Sequence, residues 1–467
     1  MSGASLLLLL LACKPPVEDT AVEVEPVCGS STDLLDAPVP IGSDIGQLAP
    51  LDLLDVATTA TVQPDGTVTF ETRAEFGVGE LDGWPTFDFA PRADRVSIDG
   101  QDIDSGLLTR VGVRDPVRTV TAIDVELERC STHVLEASYT VDKDWFRTGD
   151  QPRIEPRDDG IFWSGGLSDG EPDHYVSMWM PGNLLFDRFP IELTVTLVGE
   201  DRPHRLDANA PVTELGDHSW SVAYPATNQA HSPFWALFPE SMPHHSATAQ
   251  LAAGPITVDV YKRPEDPVDM EAVGQRAVLA LEEYDTTMGA YAHGDRYIVW
   301  LWHEDNASME YGGATITRES ALEHEILHSW WARGVTPMAD HHGWFDEAIT
   351  QWGTGPSPFY ASQVIPVDNI TMVIGEDEWA AAALNPLHYA LGASVFAGIA
   401  DRHGVDAELV ALAAMYDDRA IGPARTQDVE RHLYCWFDGD EYVRNIFHAQ
   451  VYGGEGIPPA VDPRWCD

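Results

Sequence analysis

From about residue 33 to 255, apolar positions alternate with polar ones or gather in β-branched runs, as at 60–71, 120–128, 134–141 and 191–198. Gly, Pro and Asp separate these runs, which is the texture of strands joined by turns. The pattern predicts a large antiparallel β-domain over 33–255. Near 255 the texture changes. One strand at 256–261 leads through a Pro-rich link into a helix over 268–288, where Ala, Leu and Glu recur at helical spacing. Residues 297–302 form an apolar strand, and 315–317 a second. A helix over 318–332 is stopped by Gly334 and Pro337. Another helix covers 344–352, and further helices are predicted at 386–403, 405–417, 426–434 and 441–450. There is no internal repeat. The fold class is α+β and multidomain: the antiparallel β-domain is followed by an α/β domain over 256–467.

The 467 residues suffice for two or three domains, each with its own core. Charge sharpens the picture. There are 27 basic and 76 acidic residues, a formal charge of 27 − 76 = −49. Such a surface repels nucleic acid and anionic lipid, and it suits a salty or extracellular medium. Asp438-Gly439-Asp440-Glu441 is acidic but lacks the full calcium-loop pattern and reads as a turn. At the N-terminus, residues 6–11 are an apolar run too short to span a bilayer. The run ends in Leu10-Leu11-Ala12-Cys13, which resembles the lipobox of bacterial lipoproteins, although no Lys or Arg precedes it. The resemblance implies a signal peptide over 1–12, lipid on Cys13, and an exported protein held at the cell envelope, with the outer membrane favoured. Residues 13–32, rich in Pro and Glu, read as a flexible tether. Membrane contact is expected only through that anchor. Cys28, Cys130, Cys435 and Cys466 remain, enough for two disulfides with three possible pairings. Keeping each bridge within one predicted domain favours Cys28–Cys130 and Cys435–Cys466.

The chemistry concentrates at His324-Glu325-Ile326-Leu327-His328. Residues four apart share a helix face, so both imidazoles can reach one metal ion. Zinc takes imidazole nitrogen and carboxylate oxygen in a tetrahedral shell, and a catalytic site keeps one position for water. Glu325 stands between the histidines in the place of a general base. Glu347 follows 19 residues after His328, far enough for a second helix to return a third ligand.

The surrounding segments carry a family resemblance. Ser308-Met309-Glu310-Tyr311-Gly312-Gly313, the continuation His328-Ser329-Trp330-Trp331 to Val335-Thr336-Pro337, and Trp344-Phe345-Asp346-Glu347-Ala348 are its sharpest parts. His388-Tyr389-Ala390-Leu391-Gly392-Ala393, Val451-Tyr452-Gly453 with Ile457-Pro458, and Met180-Pro181 with the run after it extend it. Together they resemble the aminopeptidase N and leukotriene-hydrolase family of zinc metallopeptidases, of gluzincin type, over about residues 150–460. The resemblance implies a thermolysin-like catalytic domain over 256–467 and peptides as substrates. It implies one zinc ion held by His324, His328 and Glu347, with Glu325 as base. It also implies Tyr389 as a hydrogen-bond donor to the oxyanion and Glu310 as partner of a substrate α-ammonium. Asp346, beside a ligand, is expected to support it. The chain departs from the family in three ways. No Gln stands near Asp169-Gly170-Glu171-Pro172, Leu391 replaces a Lys or Arg, and the large helical C-terminal domain is missing.

Rival readings compete at several positions. Gly166-Leu167-Ser168-Asp169-Gly170 matches a serine-hydrolase pattern but sits in polar loop sequence without the required strand and helix. A binding protein retaining a peptidase fold is disfavoured because all four zinc-site residues are present. A peptidase that cuts internally, or removes only particular residues, fits the missing Gln. Trp330, Trp331, Trp344 and Trp352 are expected in the core, and His244, His245, His341 and His342 in exposed loops. Oligomeric state and residue preference are not legible.

Overall fold

The computed structural model describes residues 45–113, 115–143, 154–165, 176–183, 187–302, 308–338, 342–362 and 386–453, with Cys28, Pro40 and Cys466. Cys13 with its leader and tether, the Gly166–Gly170 pattern, Asp169–Pro172, His341 and Ile457-Pro458 lie outside those residues. Two disulfides close Cys28 to Cys130 and Cys435 to Cys466, the favoured pairing.

The first half is β-structure, as its pattern predicts. An eight-stranded sheet runs in the order Val212–Gly216, Ser219–Tyr224, Ile191–Leu197, Leu51–Val62, Val68–Val78, Thr132–Val141, Arg95–Ile98, Gln101–Ile103. Two expectations are corrected here. The run at 60–71 is not one strand: it crosses a hairpin, where Gly66 at φ 86° turns the chain and Gln63 N–H donates to Thr67 O. The sheet is also not wholly antiparallel, because Leu51–Val62 pairs parallel with Ile191–Leu197. Those strands are far apart in sequence, so no hairpin forces an antiparallel pairing. The 120–128 run ends earlier, with strand Asp115–Ile123. The inward faces carry a core that includes Val56, Phe70, Tyr139, Trp163, Leu193 and Trp235.

The second half is built on a five-stranded sheet in the order His244–Leu251, Gly254–Lys262, Arg296–Leu301, Ala314–Thr317, Met309–Tyr311. Helix α1 (Met270–Thr287) is capped by Asp269, which accepts from the backbone N–H of Glu271 and Ala272. It carries the chain between the parallel strands Gly254–Lys262 and Arg296–Leu301. The remaining helices are α2 (Leu322–Leu327), α3 (Trp344–Thr354), α4 (Pro386–His403), α5 (Val405–Arg419), α6 (Thr426–Trp436) and α7 (Glu441–Ile446). All four expected core tryptophans are fully buried among them. Asp438-Gly439-Asp440 forms a turn, and Asp440 caps α7. Among the described residues no helix is long and apolar enough to cross a membrane.

The metal-motif helix is shorter than expected. Gly334 and Pro337 do not end it. The chain tightens into three-residue turns at Ser329 and Trp330, whose N–H groups donate to Ile326 O and Leu327 O. Ala332 then takes φ 122°, a conformation that excludes helix and is strained for a residue with a Cβ. The expectation of exposed loop histidines holds only in part: His244 is exposed, but the described histidines otherwise differ. His244 and His245 lie in a strand, with His244 Nε2 2.8 Å from Asp259. His342 is buried, its Nδ1 3.0 Å from the Thr426 hydroxyl.

The two halves meet through an aromatic seam. Phe162, Phe234 and Phe238 from the first pack with Tyr261, Trp300, Trp302 and Tyr311 from the second. Beside it Arg296 pairs with Asp207 and Asp259.

Candidate metal centre

Three elements converge. Helix α2 presents His324 and His328 one turn apart, tied by the His328 N–H to His324 O bond of 3.3 Å. Helix α3 packs on α2 and brings Glu347. Helix α4 packs on α3, and Gly392 permits the close approach: a Cβ there would lie 2.5 Å from the Cβ of Ala348. That contact sets Tyr389 over the site.

His324 Nε2 lies 3.0 Å from Glu347 Oε2 and 3.2 Å from His328 Nε2, and His328 Nε2 lies 3.5 Å from Glu347 Oε2. A tetrahedral shell with zinc bonds of 2.0–2.2 Å has ligand–ligand edges of about 3.3–3.6 Å. One edge of the triad falls within that spacing and the other two lie 0.1 and 0.3 Å below it. Tautomers agree with it. His328 Nδ1 donates to Trp331 O at 2.9 Å. The Thr354 hydroxyl donates to Thr350 O at 2.7 Å, which leaves its oxygen to accept from His324 Nδ1 at 3.3 Å. With both Nδ1 atoms committed as donors, both Nε2 atoms face the carboxylate and are the ones placed to bind a cation, the arrangement a metal-binding histidine needs.

Electrostatics point the same way. Burial pulls the His328 pKa down, but the carboxylates of Glu310, Glu347 and Glu325 outweigh it and hold that pKa well above the ordinary histidine value. Glu347 is held below the usual carboxylate range: burial raises it, and the two histidines more than reverse that. A site with these properties calls for positive charge, and the residues present fit a divalent zinc ion.

The remaining predicted residues sit around the triad. Glu325 is buried, and its carboxylate groups with those of Glu310 and the His328 ring within 4.8 Å. The Tyr389 hydroxyl donates to Glu347 Oε1 at 2.6 Å, and its ring stacks near His324 at 6.1 Å. Asp346 accepts from the backbone N–H of Glu347, fixing the start of α3. Glu310, on the edge strand Met309–Tyr311, is 4.0 Å from His328 Nδ1. Its carboxylate is also paired internally, with Arg333 Nη2 at 3.0 Å.

Sequence reasoning missed Thr350, Thr354 and Arg333. The two threonines were findable, because positions 347, 350 and 354 share one face of a helix. Arg333 carried no such signal, since its direction depends on the turn at Ala332.

No family model matches the chain, and no curated protein matches it. Solved structures do. A mutant M1 zinc metallopeptidase from Deinococcus radiodurans bound to a Tyr-Ser-Ala substrate aligns at TM-score 0.64 and 15% identity, over 90% of this chain and 98% of that one. A two-domain M1 zinc metallopeptidase mutant bound to L-arginine aligns at TM-score 0.62 and 16% identity, over 90% and 98%. Aminopeptidase A from Legionella pneumophila, in complex with aspartic acid, aligns at TM-score 0.66 and 11% identity, over 90% of this chain and 51% of that one. At such identities the likeness is one of fold, and it covers about nine-tenths of this chain. The chain has the fold of the M1 zinc metallopeptidases.

Proposed function

We propose that this chain is a zinc-dependent metallopeptidase that removes residues from the N-terminal end of peptides. The observation that carries the reading is the convergence of His324 Nε2, His328 Nε2 and Glu347 Oε2, with each imidazole's other nitrogen committed to a protein oxygen. When bound, zinc would supply Lewis acidity that makes water nucleophilic near neutral pH. Glu325, on the same helix as both histidines, would take the proton of the attacking water and deliver it to the leaving amine. Tyr389 would shift its hydrogen bond from Glu347 to the oxyanion as charge develops there. Asp346 would hold Glu347 in register, and Glu310 would face the substrate's α-ammonium. The M1 fold supports the reading, as does the tripeptide substrate seen in one such structure.

A second reading has its own observation. Glu310 already has a cation, Arg333, so cleavage at a blocked or internal position also fits the site. For location, we read the chain as an exported lipoprotein anchored at Cys13. The two disulfides fit an oxidising compartment and support export.

Digestion of a peptide library by zinc-loaded protein, read by mass spectrometry, tests the activity. Ladders of N-terminally shortened products are expected, and they should vanish on chelation and return with added zinc. No cleavage by the zinc-loaded protein, or cleavage indifferent to chelation, would contradict the proposal.

A further inference from the structure

We infer that Asn209, in the β-rich half, is a positioning residue for peptide binding: it clamps the hairpin that carries Glu310 and so sets where a substrate α-ammonium docks. The inference rests on the peptidase reading above, in which Glu310 faces that ammonium. It adds a residue far from the metal ligands in sequence and supplied by the other half of the molecule.

Strand Met309–Tyr311 is three residues long and stands at the edge of the five-stranded sheet. Among the described residues it pairs only with Ala314–Thr317, with Glu310 opposite Thr315. Gly312-Gly313 joins the two strands, and Gly313 sits at φ 77°. Two adjacent glycines leave the backbone its widest freedom, so a short edge strand on this link needs an outside hold to keep one position.

The hold comes through the two glycine carbonyls. Gly313 O accepts from Ile298 N–H at 3.0 Å, within the sheet. Gly312 O accepts from Asn209 Nδ2 at 2.9 Å, across the two halves. Asn209 is itself fixed. Its Nδ2 also donates to Ser232 O at 2.8 Å, its Oδ1 accepts from Phe234 N–H at 2.8 Å, and its own N–H donates to Phe234 O at 3.0 Å. Both amide protons and the amide oxygen are used, which fixes the side chain's orientation. Two residues earlier, Asp207 pairs with Arg296 and accepts from the Tyr261 hydroxyl at 2.5 Å. The Phe234 ring packs 5.3 Å from that of Tyr311, next to Glu310. Arg333 Nη2 holds the Glu310 carbonyl at 3.1 Å, so Asn209 supplies a second fixed point, at the turn.

Glu310 lies two residues from the clamped carbonyl. A charge-assisted hydrogen bond to an ammonium spans about 2.7–2.9 Å, and a shift near 1 Å takes the carboxylate out of its range. The zinc ligands stand on α2 and α3, which do not carry this turn. Loss of the clamp should therefore weaken the hold on the substrate's amine and leave the metal bound.

The test is a double-mutant cycle on a peptide with a free N-terminus, with zinc content measured in each protein. Asn209→Leu should keep its zinc, raise KM by about tenfold or more and lower kcat by less than about threefold. In a Glu310→Gln background the same substitution should change KM by less than about threefold, because the carboxylate it positions is gone. A purely structural role would give the full penalty in both backgrounds. An unchanged KM in Asn209→Leu, or a full penalty repeated beside Glu310→Gln, overturns the inference. Should Asn209→Leu fail to fold, Asn209→Asp keeps the acceptor for Phe234 N–H, loses both donors and carries the same expectations. If the folded, zinc-loaded wild type cuts no peptide, the peptidase reading falls on its own. Calorimetric titration of L-leucinamide into the same proteins then decides. A dissociation constant raised about tenfold by Asn209→Leu, and not raised further beside Glu310→Gln, supports the clamp; no rise, or no binding to the wild type, overturns it.

Discussion

His324 and His328 each commit one ring nitrogen to a protein oxygen, and the other two nitrogens are left facing Glu347. This local chemistry explains why a short motif was readable in sequence while its supports were not. The i, i+4 spacing is a property of any helix, whereas the Trp331 carbonyl and the Thr354 hydroxyl become partners only through tertiary placement. His293 is another such residue. Its Nε2 lies 2.6 Å from the carbonyl of Ser329, next to a ligand. Burial holds its pKa down at about 4, although the Ser329 carbonyl pulls the other way. An unfolded histidine titrates near 6.5. Between those values the unfolded chain binds a proton that the native chain refuses, so stability is full above about pH 6.5 and falls toward pH 4. The loss approaches about 3 kcal/mol at its limit. Urea midpoints measured across that window should fall more steeply in the wild type than in His293→Gln. Equal slopes would remove His293 from the account.

At the scale of elements, helix α4 delivers Tyr389 because Gly392 lets it sit against Ala348 of α3. Gly392→Ala gains about 1 kcal/mol of helix propensity but overpacks the contact at a cost of about 1–3 kcal/mol, so stability should change little or fall slightly. Turnover should suffer more, by about tenfold or greater, because a displacement near 1 Å at a catalytic group costs on the order of 10²-fold. Ala348→Gly in the same chain should restore it. Full activity in Gly392→Ala would separate Tyr389 from that contact. The long helices were legible for a plain reason: α4 falls at 386–403 as its apolar period requires, and α3 overruns its expected end by two residues. Helix α2 was overread, since periodicity cannot register a single residue at φ 122°. The hairpin inside 60–71 was hidden because Val62 and Val68 continue the alternation on both sides of the turn.

For the whole molecule, the two halves share an aromatic seam and the Asp207–Arg296–Asp259 pairing, so the β-rich half is continuous with the sheet that carries Glu310. His231, from the β-rich half, reaches Arg333 beside the triad. That placement follows from the pairing of distant segments, which no local pattern encodes. The formal charge of −49 keeps anionic surfaces at a distance, so attachment to a membrane would depend on lipid at Cys13. Radiolabelled palmitate should enter the wild type and not Cys13→Ser; equal labelling would dismiss the anchor. The central claim is that this chain hydrolyses peptides with Glu325 acting beside a zinc ion. The most direct measurement pairs metal analysis with peptide turnover in Glu325→Gln. The account predicts one zinc per chain retained and hydrolysis reduced by about 10³-fold. Turnover close to that of the wild type in the zinc-loaded variant would contradict it.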